Sequence, residues 1–150
     1  MGIQTTVYAS ARIDGVLDCT TLKVGLLQTP SQPPIPVARF YVIAGVQRHP
    51  VWVIDRLAAV VYCYCQTAKQ NSAGSDPEDK LGIEVNLSAN LVSGTEAICI
   101  VASNINWHTS GRIRGAAEAM IDDMVGGSRS KGYWPFKDAM RMPVELARRS

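Results

Sequence analysis

At 150 residues the chain has the length of one ordinary domain, enough to bury about 70% of the surface that the unfolded chain exposes, so a core needs neither metal nor disulfide staples. Hydrophobic residues at 47% and charged ones at 19% exclude a disordered chain, and a net charge of +2 is too small to mark a nucleic-acid binder. The charge is uneven: from Gly111 onward there are 8 Lys/Arg against 5 Asp/Glu, so the last quarter carries +3 and the rest −1.

Ile3, Val7, Ala9, Ala11 and Ile13 alternate with Gln4, Thr6, Tyr8, Ser10 and Arg12, the period-2 pattern of a half-buried strand. Asp14-Gly15 suits the positive-φ positions of a type I′ turn, so Val16 to Gln28 is expected to return antiparallel to that strand. Thr29 to Pro36 has four prolines in eight residues and reads as a rigid extended loop rather than a docking motif. Val37 to Val46, mostly apolar and β-branched or aromatic, reads as a strand buried on both faces. His49-Pro50 then suits a helix start, and Val51 to Lys69, without Gly or Pro, reads as one helix. That helix is apolar nearly all round and requires cover on more than one side, from the sheet and the tail or from a second subunit.

Gln70 to Asp79 is a polar loop by composition. In the strand after it, Leu81, Ile83, Val85, Leu87, Ala89 and Leu91 face a core while Gly82, Glu84, Asn86, Ser88 and Asn90 face solvent. Ser93-Gly94 turns into Ala97–Ala102, apolar on both faces and so a central strand. A helix follows with Ile113, Ala116, Ala117, Met120 and Met124 on one stripe, ended by Gly126-Gly127. The tail, residues 127–150, mixes Arg129, Lys131, Lys137, Arg141, Arg148 and Arg149 with Tyr133, Trp134 and Phe136, and includes a short helix from Pro135 to Met142.

The order β-β-β-α-β-β-α predicts a single α+β domain over residues 1–150. A mainly antiparallel sheet of about five strands carries two main helices and a basic aromatic C-terminal tail. Asp55 and Arg56 interrupt the longest apolar run, so no membrane span is expected, and Met1 to Thr6 has neither the charge nor the apolar run of a signal peptide. A cytoplasmic location is the default. Cys19, Cys63, Cys65 and Cys99 fit neither a zinc spacing nor a disulfide scaffold and read as reduced, mostly buried thiols.

The candidate site is Trp107-His108-Thr109-Ser110-Gly111-Arg112-Ile113-Arg114, where an imidazole, two hydroxyls and two guanidiniums meet at a strand-to-helix junction. Thr109 or Ser110 suits the N-cap of the second helix. A helix N-terminus attracts anions, and Arg112 and Arg114 oppose the bare dipole unless an acidic neighbour or a bound anion relieves them. Arginine's planar fork matches phosphate, and His108 offers a proton beside it. Trp107, His108, Thr109, Ser110, Arg112 and Arg114 are therefore expected to bind a ligand, with no catalytic residue, metal or cofactor assigned. Neither the Gly-x-x-x-x-Gly-Lys-[Ser/Thr] nor the Gly-x-Gly-x-x-Gly phosphate motif occurs.

The reading ranked first is a non-enzymatic, homo-oligomeric binding protein for a small anionic, phosphate-bearing ligand such as a nucleotide. The second is a structural or assembly protein, a viral or shell-like subunit that uses the apolar helix and the tail as contact surfaces. The third is a small phosphoesterase-like hydrolase using His108, with His49 as its acid–base partner if the two meet across a cleft. Nucleic acid bound through the tail is possible on composition but not favoured, because Trp-Pro-Phe is a compact apolar plug suited to the domain or a neighbouring subunit.

Overall fold

A computed structural model describes residues 6–8, 11–29, 32–71, 81–87, 90–92, 102, 104–126, 136 and 138–140. The elements in chain order are β1 (Thr6–Tyr8), β2 (Ala11–Thr29), β3 (Gln32–Ala44), β4 (Gln47–Ile54), α1 (Arg56–Asn71), β5 (Gly82–Leu87), β6 (Asn90–Val92), β7 (Asn104–His108) and α2 (Gly111–Gly126). A five-stranded antiparallel sheet runs β4-β3-β2-β5-β7, while β1 and β6 form a separate two-stranded pair. The α+β class, the element order and the antiparallel sheet are those the sequence predicts.

β2 is the central strand. Ala11–Val16 pairs with β5, while Val16–Asp18 and Lys23–Thr29 pair with β3. Between them the register slips from Asp18↔Tyr41 to Lys23↔Arg39, a bulge of extra residues on β2. Local side-chain bonds hold the bulge: Thr20 donates both its N–H and its hydroxyl to Asp18 Oδ1 (3.1 and 2.6 Å). The Thr21 hydroxyl donates to the Asp18 carbonyl and accepts from the Tyr41 N–H. Asp14-Gly15 is therefore not a turn, a correction to the sequence reading. The chain runs straight through it, with Gly15 paired to Ile83. The glycine is needed for close approach, since a Cβ there would strike the backbone of Ile43.

The proline segment is corrected in the same way, because Gln32–Pro36 belongs to β3. The Pro36 carbonyl accepts from the Asp55 N–H (2.7 Å), so the Pro36 nitrogen also points toward that side, where β4 has ended and no ladder donor is needed. Helix initiation at His49-Pro50 is overturned too. Residues 47–54 form β4, with Pro50 opposite Tyr41 on an edge strand, and Gly45 (φ 63°) makes the turn before it. Asp55, at φ 56°, breaks the chain from strand into α1, which begins at Arg56 rather than Val51.

The Ala102 N–H donates to the Trp52 carbonyl on the outer edge of β4 (3.0 Å), yet β7 begins two residues later on the opposite edge of the sheet. Two residues reach at most about 7 Å, so the sheet is strongly curled and its two edges approach one another. Apart from Ala102, the expected strand 97–102 lies outside the described residues, as do the Ser93-Gly94 turn and most of the polar loop.

α1 is the middle layer. Ala58, Val61, Cys63, Cys65 and Ala68 are buried, with the sheet on one side and the Ile113, Ala117 and Ile121 face of α2 on the other. Cys63 and Thr67 meet Met124 and Met120 of α2 through sulfur contacts of 3.3 and 3.5 Å. The cover that its all-round apolar surface requires is thus intramolecular. Phe136 is buried with its ring edge-on to Tyr62 (6.0 Å), and residues 138–140 lie parallel to β2. There the Leu26 N–H donates to the Asp138 carbonyl and the Met140 N–H to the Leu26 carbonyl. A helix from Pro135 to Met142 is therefore corrected to an extended segment at Ala139, and Gly25 is the residue whose missing side chain admits it. Among the described residues no helix is long and apolar enough to cross a membrane.

Candidate functional site

The strand-to-helix junction is built from β7 and α2. Alternation along β7 sends Ile105 and Trp107 to the helix side of the sheet and Asn104, Asn106 and His108 to the other. Trp107 and His108, expected at a strand-to-helix junction, are therefore strand residues on opposite faces. Trp107 stacks on Tyr64 of α1, with ring centroids 4.0 Å apart and planes 9° from parallel. His108 is exposed and lies opposite Gly82, where a Cβ would press on the His108 backbone.

α2 starts at Gly111, and Ser110 is its cap: Ser110 Oγ accepts from the Ile113 N–H (3.4 Å) and its carbonyl from the Arg114 N–H (3.1 Å). Thr109 stands just before, its hydroxyl oxygen buried without a hydrogen-bond partner. Arg114 reaches back so that Nη2 donates to the Trp107 carbonyl (3.0 Å). Its guanidinium also lies near the Tyr64 phenol. Burial raises the pKa of that phenol, and the Arg114 guanidinium opposes the rise. Arg114 thus ties α2 to β7 and lies beside α1. Arg112, in the same first turn, is exposed to solvent and also engaged by neighbours.

Trp107, Ser110 and Arg114 form one cluster, with Thr109 beside it, while His108 leaves on the other face. Tyr64 is the member that sequence reasoning missed. It sits on α1, 43 positions before Trp107, and no local spacing links the two.

His49 stands apart. On β4 it pairs with the buried Val42 of β3, whereas His108 pairs with Gly82, and the register puts the two imidazoles on opposite faces of the sheet. They do not share a cleft, and a hydrolase using both as base and acid has no geometric basis here. The polar row expected along residues 84–90 is also broken up. Glu84 accepts from Asn106 (3.0 Å) and faces Arg12 (3.8 Å), Asn86 has its own partners, and Asn90 belongs to β6 in the other sheet. Ser88 lies outside the described residues.

No protein-family model and no curated protein matches the chain. Among the described residues no group of three or more His, Cys, Asp or Glu side chains is arranged to hold a metal ion.

Proposed function

We propose that the chain is a non-enzymatic binding protein for a small phosphate-bearing anion, a nucleotide being the ligand class, seated before the first turn of α2. The observation that carries this reading is the residue content of that turn. It contains no acidic residue, it holds Arg112 and Arg114, and Arg114 is met by a carbonyl and a phenol rather than a carboxylate. An anion at the helix start is favoured by the dipole and by the guanidinium of Arg112, and open space beside Gly111 leaves room for it. Cytoplasmic residence belongs to the same proposal and is supported by the free thiols of Cys19, Cys63 and Cys65.

Titration calorimetry with inorganic phosphate and a panel of nucleotides tests it. Saturable binding should weaken roughly 10- to 100-fold in Arg112→Ala, the loss expected for one hydrogen bond to a charged group. Binding to none of these probes, or binding indifferent to Arg112→Ala, overturns it. Arg114→Ala is a poor substitute, because that side chain also holds the fold together.

An assembly subunit is the second reading, and one observation favours it. Val46 is fully exposed at the tip of the β3–β4 hairpin, and Ile43 and Val16 lie side by side below it, each more than a third exposed. Sedimentation at rising concentration decides: self-association weakened by Val46→Asp supports it, and a chain that stays monomeric removes it.

A further inference from the structure

Part of the α1–α2 seam is lined with sulfur. Cys63 Sγ stands 3.3 Å from Met124 Sδ, and one helical turn further along α1 the Thr67 hydroxyl touches Met120 Sδ at 3.5 Å. Met120 is likewise one turn from Met124 on α2, so the two thioethers lie over the same stretch of α1. Cys63 and Thr67 are buried, while Met120 and Met124 are half-buried and form the outer side of the cluster. Ile113, Ala117 and Ile121 of α2 already supply apolar packing for the core. A thiol facing two thioethers adds a set of soft donors that hydrocarbon side chains would not.

We infer that Cys63, Met124 and Met120 bind one cuprous ion between α1 and α2, with sulfur as the only donor. This inference is independent of the proposed ligand site. Thiolate and thioether sulfurs are soft ligands, and soft ligands select Cu(I) over harder ions. No three His, Cys, Asp or Glu side chains converge among the described residues, so an ion held here is one that methionine can serve. The charge fits as well. One thiolate and one Cu(I) make a neutral pair, whereas Zn(II) on the same three donors would leave a net positive charge to bury.

The distances allow it. With metal–sulfur bonds of about 2.3 Å, three sulfurs around one ion lie about 4 Å apart, so Cys63 and Met124 need to separate by less than about 1 Å. Each methionine has three rotatable bonds with which to supply that movement and to bring Sδ of Met120 onto the ion. The half-buried methionines are also the way in from solvent. The free Cys63 thiol keeps its proton, because burial pushes it up to about 11, so binding replaces an S–H bond with an S–Cu bond and releases one proton. Thr67 is not a ligand, since its hydroxyl donates to the Cys63 carbonyl (2.9 Å). Cys65 lies two residues beyond Cys63, turned about 200° around the helix, and faces away from the site.

The test titrates the reduced, intact chain with Cu(I) in the absence of oxygen, in competition with the chromogenic chelator bicinchoninate. The expected result is one ion drawn from the chelator per chain, with X-ray absorption at the copper edge showing only sulfur neighbours. Cys63→Ala should abolish uptake. Met124→Leu and Met120→Leu conserve side-chain volume and should each weaken binding by roughly 10- to 100-fold while the chain stays folded. No uptake against the chelator, uptake that survives Cys63→Ala, uptake indifferent to both methionine variants, or nitrogen or oxygen neighbours at the copper each overturns the inference. If Cys63→Ala fails to fold, the methionine variants and the wild-type spectrum decide.

Discussion

Replacing Gly25 with alanine puts a methyl group where the C-terminal segment crosses β2, against the Met140 side chain and the Asp138 carbonyl oxygen. The strand itself tolerates alanine, so the strain falls on the crossing, and the crossing segment is the part free to leave. Its departure forfeits the two backbone hydrogen bonds with Leu26, worth about 1 kcal/mol each, and loosens the burial of Phe136, which is only 4% exposed. Phe136→Ala removes the ring that anchors the same segment on Tyr62, at a cost of about 3 kcal/mol. Gly25→Ala should therefore destabilise by roughly 2–4 kcal/mol in urea unfolding. Because both changes release one segment, the double variant should be little worse than the worse single one. Hydrogen exchange gives a local readout, since the Leu26 amide, bonded to Asp138, should lose protection in both variants. Strict additivity, or a Leu26 amide that stays protected while stability falls, refutes the account.

Ser110→Ala removes the side-chain acceptor at the start of α2; with a bond of 3.4 Å the loss should be about 0.5–1 kcal/mol by urea unfolding. Asp55 holds φ at 56°, so Asp55→Val should cost about 1–2 kcal/mol whereas Asp55→Gly should change stability by less than about 0.5 kcal/mol, in the same assay. Burial pushes the Cys63 thiol up to about 11 from the ordinary 9.0. A raised acid favours the folded state while protonated, so its contribution is full below pH 9.0 and is lost as pH rises through about 11. The urea midpoint should fall across that window, and Cys63→Ala should flatten the fall.

The sequence made the class and element order legible because hydrophobic periodicity survives in the structure: Leu81, Ile83 and Val85 are buried where alternation puts them, and Ile113 and Ala117 where the helical stripe does. Punctuation was less legible. Gly15 allows close approach of Ile43 rather than a positive φ, and only the neighbouring strand reveals which use is made of it. Pro36 and Pro50 lie in strands because they project toward the outer side, which depends on where β4 ends and on its edge position. The run from Val51 to Lys69 hides its break because Asp55 is not a residue type that usually signals a positive φ as strongly as glycine does. At the candidate site the Ser110 cap was legible from local spacing. The engagement of Arg114 with Trp107 and Tyr64 was not, since it rests on a contact across the core.

β2 meets its two partners at very different distances along the chain. It returns onto β3 at Thr29↔Gln32, but it meets β5 at Ala11↔Leu87, on the far side of α1. Closing the second contact costs about 3 kcal/mol more chain entropy than closing the first. The β2–β3–β4 meander is therefore expected to assemble early, and Ala11–Val16 of β2 to wait with an open edge until β5 arrives. During that wait Ala11–Val16 presents an unpaired edge, the kind of surface on which wrong pairing starts.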